Sequence, residues 1–169
     1  MGYVTDLSLS QFVSPFKCAF SAGTWTPTFS SEVITNVRTA ADVNFDVYIP
    51  LELPGSEALN QGAKITSIDV WYIVATAALT DFTDWYLIKT ALPADSAAAT
   101  GEALAQSMDT AHDSSTECRA VDEHKATMTP TIPFYLEDGY AYYIKFTVDP
   151  AATSVFSLLG AQINYELRL

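Results

Sequence analysis

Residues 43–53 read VNFDVYIPLEL, and this run decides the fold. Val43, Phe45, Val47, Ile49, Leu51 and Leu53 alternate with Asn44, Asp46, Tyr48, Pro50 and Glu52. An extended chain turns successive side chains to opposite faces. Apolar residues at every second position therefore predict a strand buried on one face. Pro50 has no N–H to give to a ladder, so an edge or a bulge is expected there.

The same period recurs outward from this run. In VFSLLGAQINYELRL, residues 155–169, the residues Val155, Leu159, Ala161, Ile163, Tyr165, Leu167 and Leu169 are expected on one face. Gln162, Asn164, Glu166 and Arg168 take the other. GYAYYIKFTVDP, residues 139–150, places Tyr140, Tyr142, Ile144, Phe146 and Val148 together, after a turn at Glu137, Asp138 and Gly139. SIDVWYIVAT and DWYLIKTAL echo each other at Trp71-Tyr72 and Trp85-Tyr86, and read as an up-and-down pair or a link between sheets. PFKCAFSAG, TWTPTFSS, EVITNVR and HKATMTPTI supply shorter extended segments. The sum is about eight antiparallel strands in an all-β, jelly-roll-like β-sandwich, with a closed barrel as the alternative. No βαβ rhythm and no Gly-rich phosphate loop occurs, which argues against a nucleotide fold.

A chain of 169 residues fits one domain. We assign 21–169 to a single sandwich and 1–20 to an N-terminal arm or first strand, whose Leu7, Leu9, Phe12 and Phe16 are candidate partner contacts. Helical material is expected only between 93 and 123. There Ser114 and Glu117 form a capping box, and Arg119 and Glu123 are spaced to pair on a helix.

Twenty acidic against eight basic residues leave a formal charge of −12, which opposes nucleic-acid binding. Cys18 and Cys118 lie far apart and form no CxxC, so two reduced, mostly buried thiols are expected. No secretory leader and no run long enough to span a bilayer is found. MGYVTD carries Asp6 where a myristoylation signal has Ser or Thr. Folding in the cytoplasm is the default expectation.

The stretch most suggestive of chemistry is HDSSTECRAVDEH, residues 112–124. It holds both histidines, one cysteine and four carboxylates. His112, Cys118 and His124 follow each other at six-residue intervals, which on a helix puts neighbours on different faces. Zinc sites favour tight ligand pairs, and a calcium loop needs a Gly that is missing here. We therefore expect a solvated, capped helix or loop, with no metal, no cofactor and no catalytic residue. Among the aromatics, Trp71, Trp85, Tyr86 and Tyr143 are candidates for stacking against sugars if the chain is a carbohydrate-binding module or an adhesive tip.

YIPLELPGSEALNQGAKITSIDVWYIVATAALTDFTDWYLIKT, residues 48–90, resembles a segment of many phage and bacterial reading frames. Its marks are Leu53-Pro54, then Gly62-Ala63-Lys64-Ile65-Thr66-Ser67, and the closing Gly160-Ala161-Gln162-Ile163-Asn164-Tyr165. The resemblance is to jelly-roll components of virus particles: capsid decoration or cement proteins, head fibres and spikes. It implies a non-enzymatic structural protein, folded in the host cytoplasm and resident in the virion. The implied partners are other copies of itself, often in trimers, and a major capsid or other virion protein. No membrane is implied.

Overall fold

The computed structural model describes residues 6–30, 32–53, 62–83, 85–93 and 98–168. Pro54 of the resemblance motif, Leu169 and the first five residues of the expected arm lie outside them.

The described chain forms thirteen strands: β1 (Asp6–Val13), β2 (Ala19–Phe20), β3 (Trp25–Phe29), β4 (Ile34–Arg38), β5 (Phe45–Pro50), β6 (Ala63–Ala75), β7 (Asp81–Phe82), β8 (Tyr86–Ala91), β9 (Gly101–Leu104), β10 (Gln106–Met108), β11 (Asp122–Pro130), β12 (Tyr140–Asp149) and β13 (Val155–Arg168). A 3-10 turn covers Pro15–Lys17, and the helix α1 covers Ser115–Cys118. One sheet runs β10-β11-β6-β13-β4-β3, with β1 also on β13; the other runs β2-β5-β12-β8-β9, with β7 also on β12. Four positions in each sheet, β11-β6-β13-β4 and β5-β12-β8-β9, carry the roll. The chain changes sheet from β4 to β5, β5 to β6, β6 to β8, β9 to β10, β11 to β12 and β12 to β13, and every pairing is antiparallel. That is the order of a jelly roll. The echo of Trp71-Tyr72 and Trp85-Tyr86 is thus a link between sheets.

The core forms where the period predicts, except at the strand ends: Val43, which precedes β5, and Tyr140, which opens β12, were expected inside and are exposed. Phe45, Val47 and Ile49 of β5 meet Tyr142, Ile144, Phe146 and Val148 of β12 within one layer. Ile68, Val70, Tyr72 and Val74 of β6 face them from the other. An aromatic spine runs through the interface: Phe45 and Phe156 at 5.5 Å, Phe156 and Tyr72 at 5.4 Å, Trp85 and Phe146 at 4.2 Å. Pro50 sits at an opening in its sheet, because β2 pairs β5 only at Tyr48 and Val47.

Two bulges correct the simple alternation. On β13 the register against β6 slips between Leu158 and Gly160, leaving Leu159 unpaired. Phe156 and Leu158 are therefore buried, whereas Val155 and Leu159, expected inside with Ala161 and Ile163, are on the other face. On β6 the slip is at Thr66, so Ala63 and Ile65 point inward on one parity and Ile68 and Val70 on the other. An extra residue reverses the faces of everything beyond it.

The stretch around 98–109, expected to be helical, is instead β9 and β10; residues 94–97 of it lie outside the described part. Gly101 and the lack of a helical apolar stripe leave edge pairing as the better use of these backbones. The capping box forms, with Glu117 N donating to Ser114 Oγ at 3.4 Å and Ser114 Oγ to Glu117 Oε2 at 2.9 Å. The Arg119–Glu123 pair does not form, because the helix ends at Cys118 and Glu123 already belongs to β11. Arg119 donates to Thr80 O instead, at 2.6 Å.

Candidate functional site

Residues 112–124 form the expected capped helix and connection, exposed along most of their length, but His112, Cys118 and His124 turn inward and are buried. His124 lies on the inward parity of β11, with Ala126 and Met128, and is buried. Its ring stacks on Tyr72, centroids 4.7 Å apart and planes at 13°. His112 is buried beside it, and a hydrogen-bonded row joins them. His112 Nδ1 meets Asp109 Oδ1 at 2.9 Å, His112 Nε2 meets His124 Nδ1 at 3.2 Å, and His124 Nε2 donates to Ala120 O at 2.9 Å. All four ring nitrogens thus have protein partners. The Asp109 carboxylate also accepts from Thr127 N at 2.6 Å and Ala111 N at 3.0 Å. Burial alone would raise this carboxyl. The bonds from Thr127, His112 and Ala111 outweigh it and hold the group below its ordinary value.

An open cavity of about 520 Å³ borders this row, lined by Phe82, Trp85, Tyr86, Gln106, Met108 and His112 among others. Its nucleophiles are spoken for. Ser115 Oγ is bonded to Asp81 and accepts from Phe82 N at 3.2 Å, and Ser114 caps the helix. The Cys118 thiol donates to His112 O at 3.5 Å, and burial raises its pKa. Cys18 is likewise pushed up, to about 12, by burial. Neither thiol is poised as a thiolate. Among the described residues no group of three or more His, Cys, Asp or Glu side chains is arranged to hold a metal ion. The row therefore pins the loop before α1 to β11.

The arm candidates separate. β1 lies along β13 with Leu7 opposite Leu167 and Leu9 opposite Tyr165. Leu9 is half-buried and Val13 buried on the inward parity, while Leu7 on the same parity is 44% exposed and Phe12 projects from the outer face, 60% exposed. Phe12 and Phe16 join an apolar corner whose other members, Phe29, Val33 and Ile34, the sequence reading missed. Phe29 is 69% exposed and its ring lies 5.6 Å from that of Phe16; Val33 and Ile34 beside it are also exposed. Phe12, Val33, Ile34, Trp71 and Leu159 line a groove of about 480 Å³ over the outer face of the larger sheet. The signal was available in EVITNVR, whose adjacent Val33 and Ile34 fall on both parities of a short strand that TWTPTFSS can pair with.

The aromatic candidates separate as well. Trp85 is buried against Phe146 and cannot reach a sugar. Trp71 is on the outer face of the larger sheet, with the Lys125 ammonium 5.7 Å from its ring centroid. Tyr86 and Tyr143 lie together on the outer face of the smaller sheet, on adjacent strands β8 and β12.

Fold and surfaces define an all-β jelly-roll sandwich with an apolar corner on one sheet and a tyrosine-bearing face on the other. No family model and no curated protein matches the chain. Among solved structures, a family two carbohydrate esterase from Cellvibrio japonicus aligns with a TM-score of 0.41 and 5% identity, over 98% of this chain and 36% of that one. The chain spans little more than a third of that structure's length.

Proposed function

We propose that the protein is a non-enzymatic structural component of a phage or virus particle, a decoration, cement or minor capsid protein that works by docking on other copies of itself and on a capsid neighbour. The observation that carries this reading is the apolar corner of Phe12, Phe16, Phe29, Val33 and Ile34, each 42–69% exposed. Single exposed apolar residues need no explanation, but a contiguous set marks an interaction surface. Burying one such phenylalanine contributes roughly 1.5–3 kcal/mol, and closed symmetry repeats the contact. The jelly-roll order and the resemblance of residues 48–90 support the particle assignment. The commitment of both histidines and both thiols to internal partners supports the absence of catalysis.

Light scattering on the purified chain tests it. The wild type should form a closed oligomer at micromolar concentration. The double variant Phe29→Asp, Ile34→Asp should be monomeric with an unshifted thermal melt. Identical masses for the two proteins would overturn the docking role of this corner.

A further inference from the structure

The outer face of the smaller sheet carries an arrangement that docking by the opposite sheet leaves unexplained. Antiparallel register puts Tyr48 of β5, Lys145 of β12 and Tyr86 of β8 in one row across three strands. The next row is Pro50, Tyr143 and Ile88. Tyr86 is 40% exposed, and Tyr48, Tyr143, Lys145 and Ile88 are half-buried. The Tyr48 and Tyr143 rings are 5.9 Å apart and inclined at 59°, and with Pro50, Ala19 and Lys17 they wall a shallow hollow of about 240 Å³.

The phenols are tethered. Tyr48 Oη donates to Asp46 Oδ2 at 3.1 Å, and Tyr143 Oη bonds Thr90 Oγ1 at 3.0 Å. Asp46 also accepts from Thr147 Oγ1 and pairs with Lys145 Nζ at 3.4 Å. These bonds hold two of the rings in place before any ligand arrives, which lowers the entropy lost on binding. One lysine and one carboxylate nearly cancel in the middle of the face, and the whole chain carries −12, so an acidic ligand gains nothing from steering. Tyr48 and Tyr86 are two interstrand steps apart, about 10 Å. That is close to the length of a disaccharide.

We propose that this face is a binding site for a neutral, extended pyranose chain, lying across the strands with its apolar C–H faces on Tyr48 and Tyr86, leaning on Tyr143, and with hydroxyls directed at Lys145 and Thr90. The site stands apart from the apolar corner and does not depend on the assembly role. A particle protein held by its larger sheet would present this face outward.

Titration calorimetry with cellohexaose, xylohexaose, mannohexaose and chitohexaose is the test. At least one should bind with a dissociation constant of millimolar or below. Tyr48→Ala and Tyr86→Ala should each weaken binding tenfold or more. Trp71→Ala and Phe29→Asp, on the other sheet, should leave it unchanged. Tyr86 is exposed enough that its variant should keep the wild-type melt, so the result stands even if Tyr48→Ala destabilises the fold. Lack of binding by all four sugars, or binding that survives Tyr86→Ala, overturns the proposal. So does protection of this face by a second copy or a protein partner in hydrogen exchange. Loss of oligomers in the corner variant with sugar affinity intact would separate the two readings.

Discussion

His112 shows how much one residue can hold. It joins the Asp109 carboxylate to His124, and Asp109 reaches two backbone N–H groups. Removing the imidazole leaves a buried ring nitrogen and a carboxylate oxygen short of a partner, which costs about 1–3 kcal/mol. His112→Ala should therefore lower the urea midpoint by a corresponding amount, whereas Glu123→Ala, on exposed surface, should stay within about 0.5 kcal/mol. Asp109 adds a pH dependence with a fixed sign. Its folded pKa lies below its ordinary value of 3.8, so its stabilisation is complete above that value and is lost as pH falls through the lowered folded one. Denaturant titrations from pH 6 down to pH 2 should show a smaller acid-induced loss in Asp109→Asn than in wild type. Arg38 is another residue whose role the primary structure conceals. It is 1% exposed and pairs with no carboxylate among the described residues. It donates to Ala41 O at 3.1 Å and Val43 O at 2.7 Å and lies 4.4 Å over the Phe45 ring, tying down the bend before β5.

At the scale of elements, the clearest strands were readable and their interruptions were not. β5 and β12 follow a strict period of two, because both sit in mid-sheet with one face on the core, and the alternation names their buried residues. On β13 the alternation names the buried residues only beyond Gly160, at Ala161 and Ile163. The glycine's φ of +127° and the neighbouring Val13 carbonyl show why a bulge is there: a Cβ on Gly160 would lie 2.6 Å from Val13 O and 2.7 Å from Phe12 Cζ. Only glycine lets β1 approach this closely. Gly160→Ala should cost about 1–3 kcal/mol, and its hydrogen-exchange signature should be selective: amides of β1 should lose protection first while those of β5 and β12 keep theirs. A bulge leaves little trace in an apolar run, since hydrophobic residues continue on both sides of it. The same holds for His124. The alternation His124, Ala126, Met128 placed it on the core face, but polarity in the flanking residues masked that reading. β9 and β10 were illegible for another reason: an Ala-rich segment has no face of its own, and the edges of two sheets decided its shape.

For the whole molecule, the all-β sandwich followed from alternation alone, while the surfaces that matter for function did not. Phe29, Val33 and Ile34 become one corner only because β3 and β4 fold back at the end of β13, and Tyr48 joins Tyr86 only through β12 between them. These are three-strand relations, and no window of sequence contains them. β13 itself has a consequence for biosynthesis. It borders β6 on one side and β4 and β1 on the other, and all three precede it in the chain. A ribosome adding roughly 5–20 residues per second therefore exposes three orphaned edges until the last of their common partners emerges. Completion of the larger sheet must be a late event, and chains cut short before residue 155 should be captured by chaperones and aggregate when released, whereas chains carrying residues 155–168 should not.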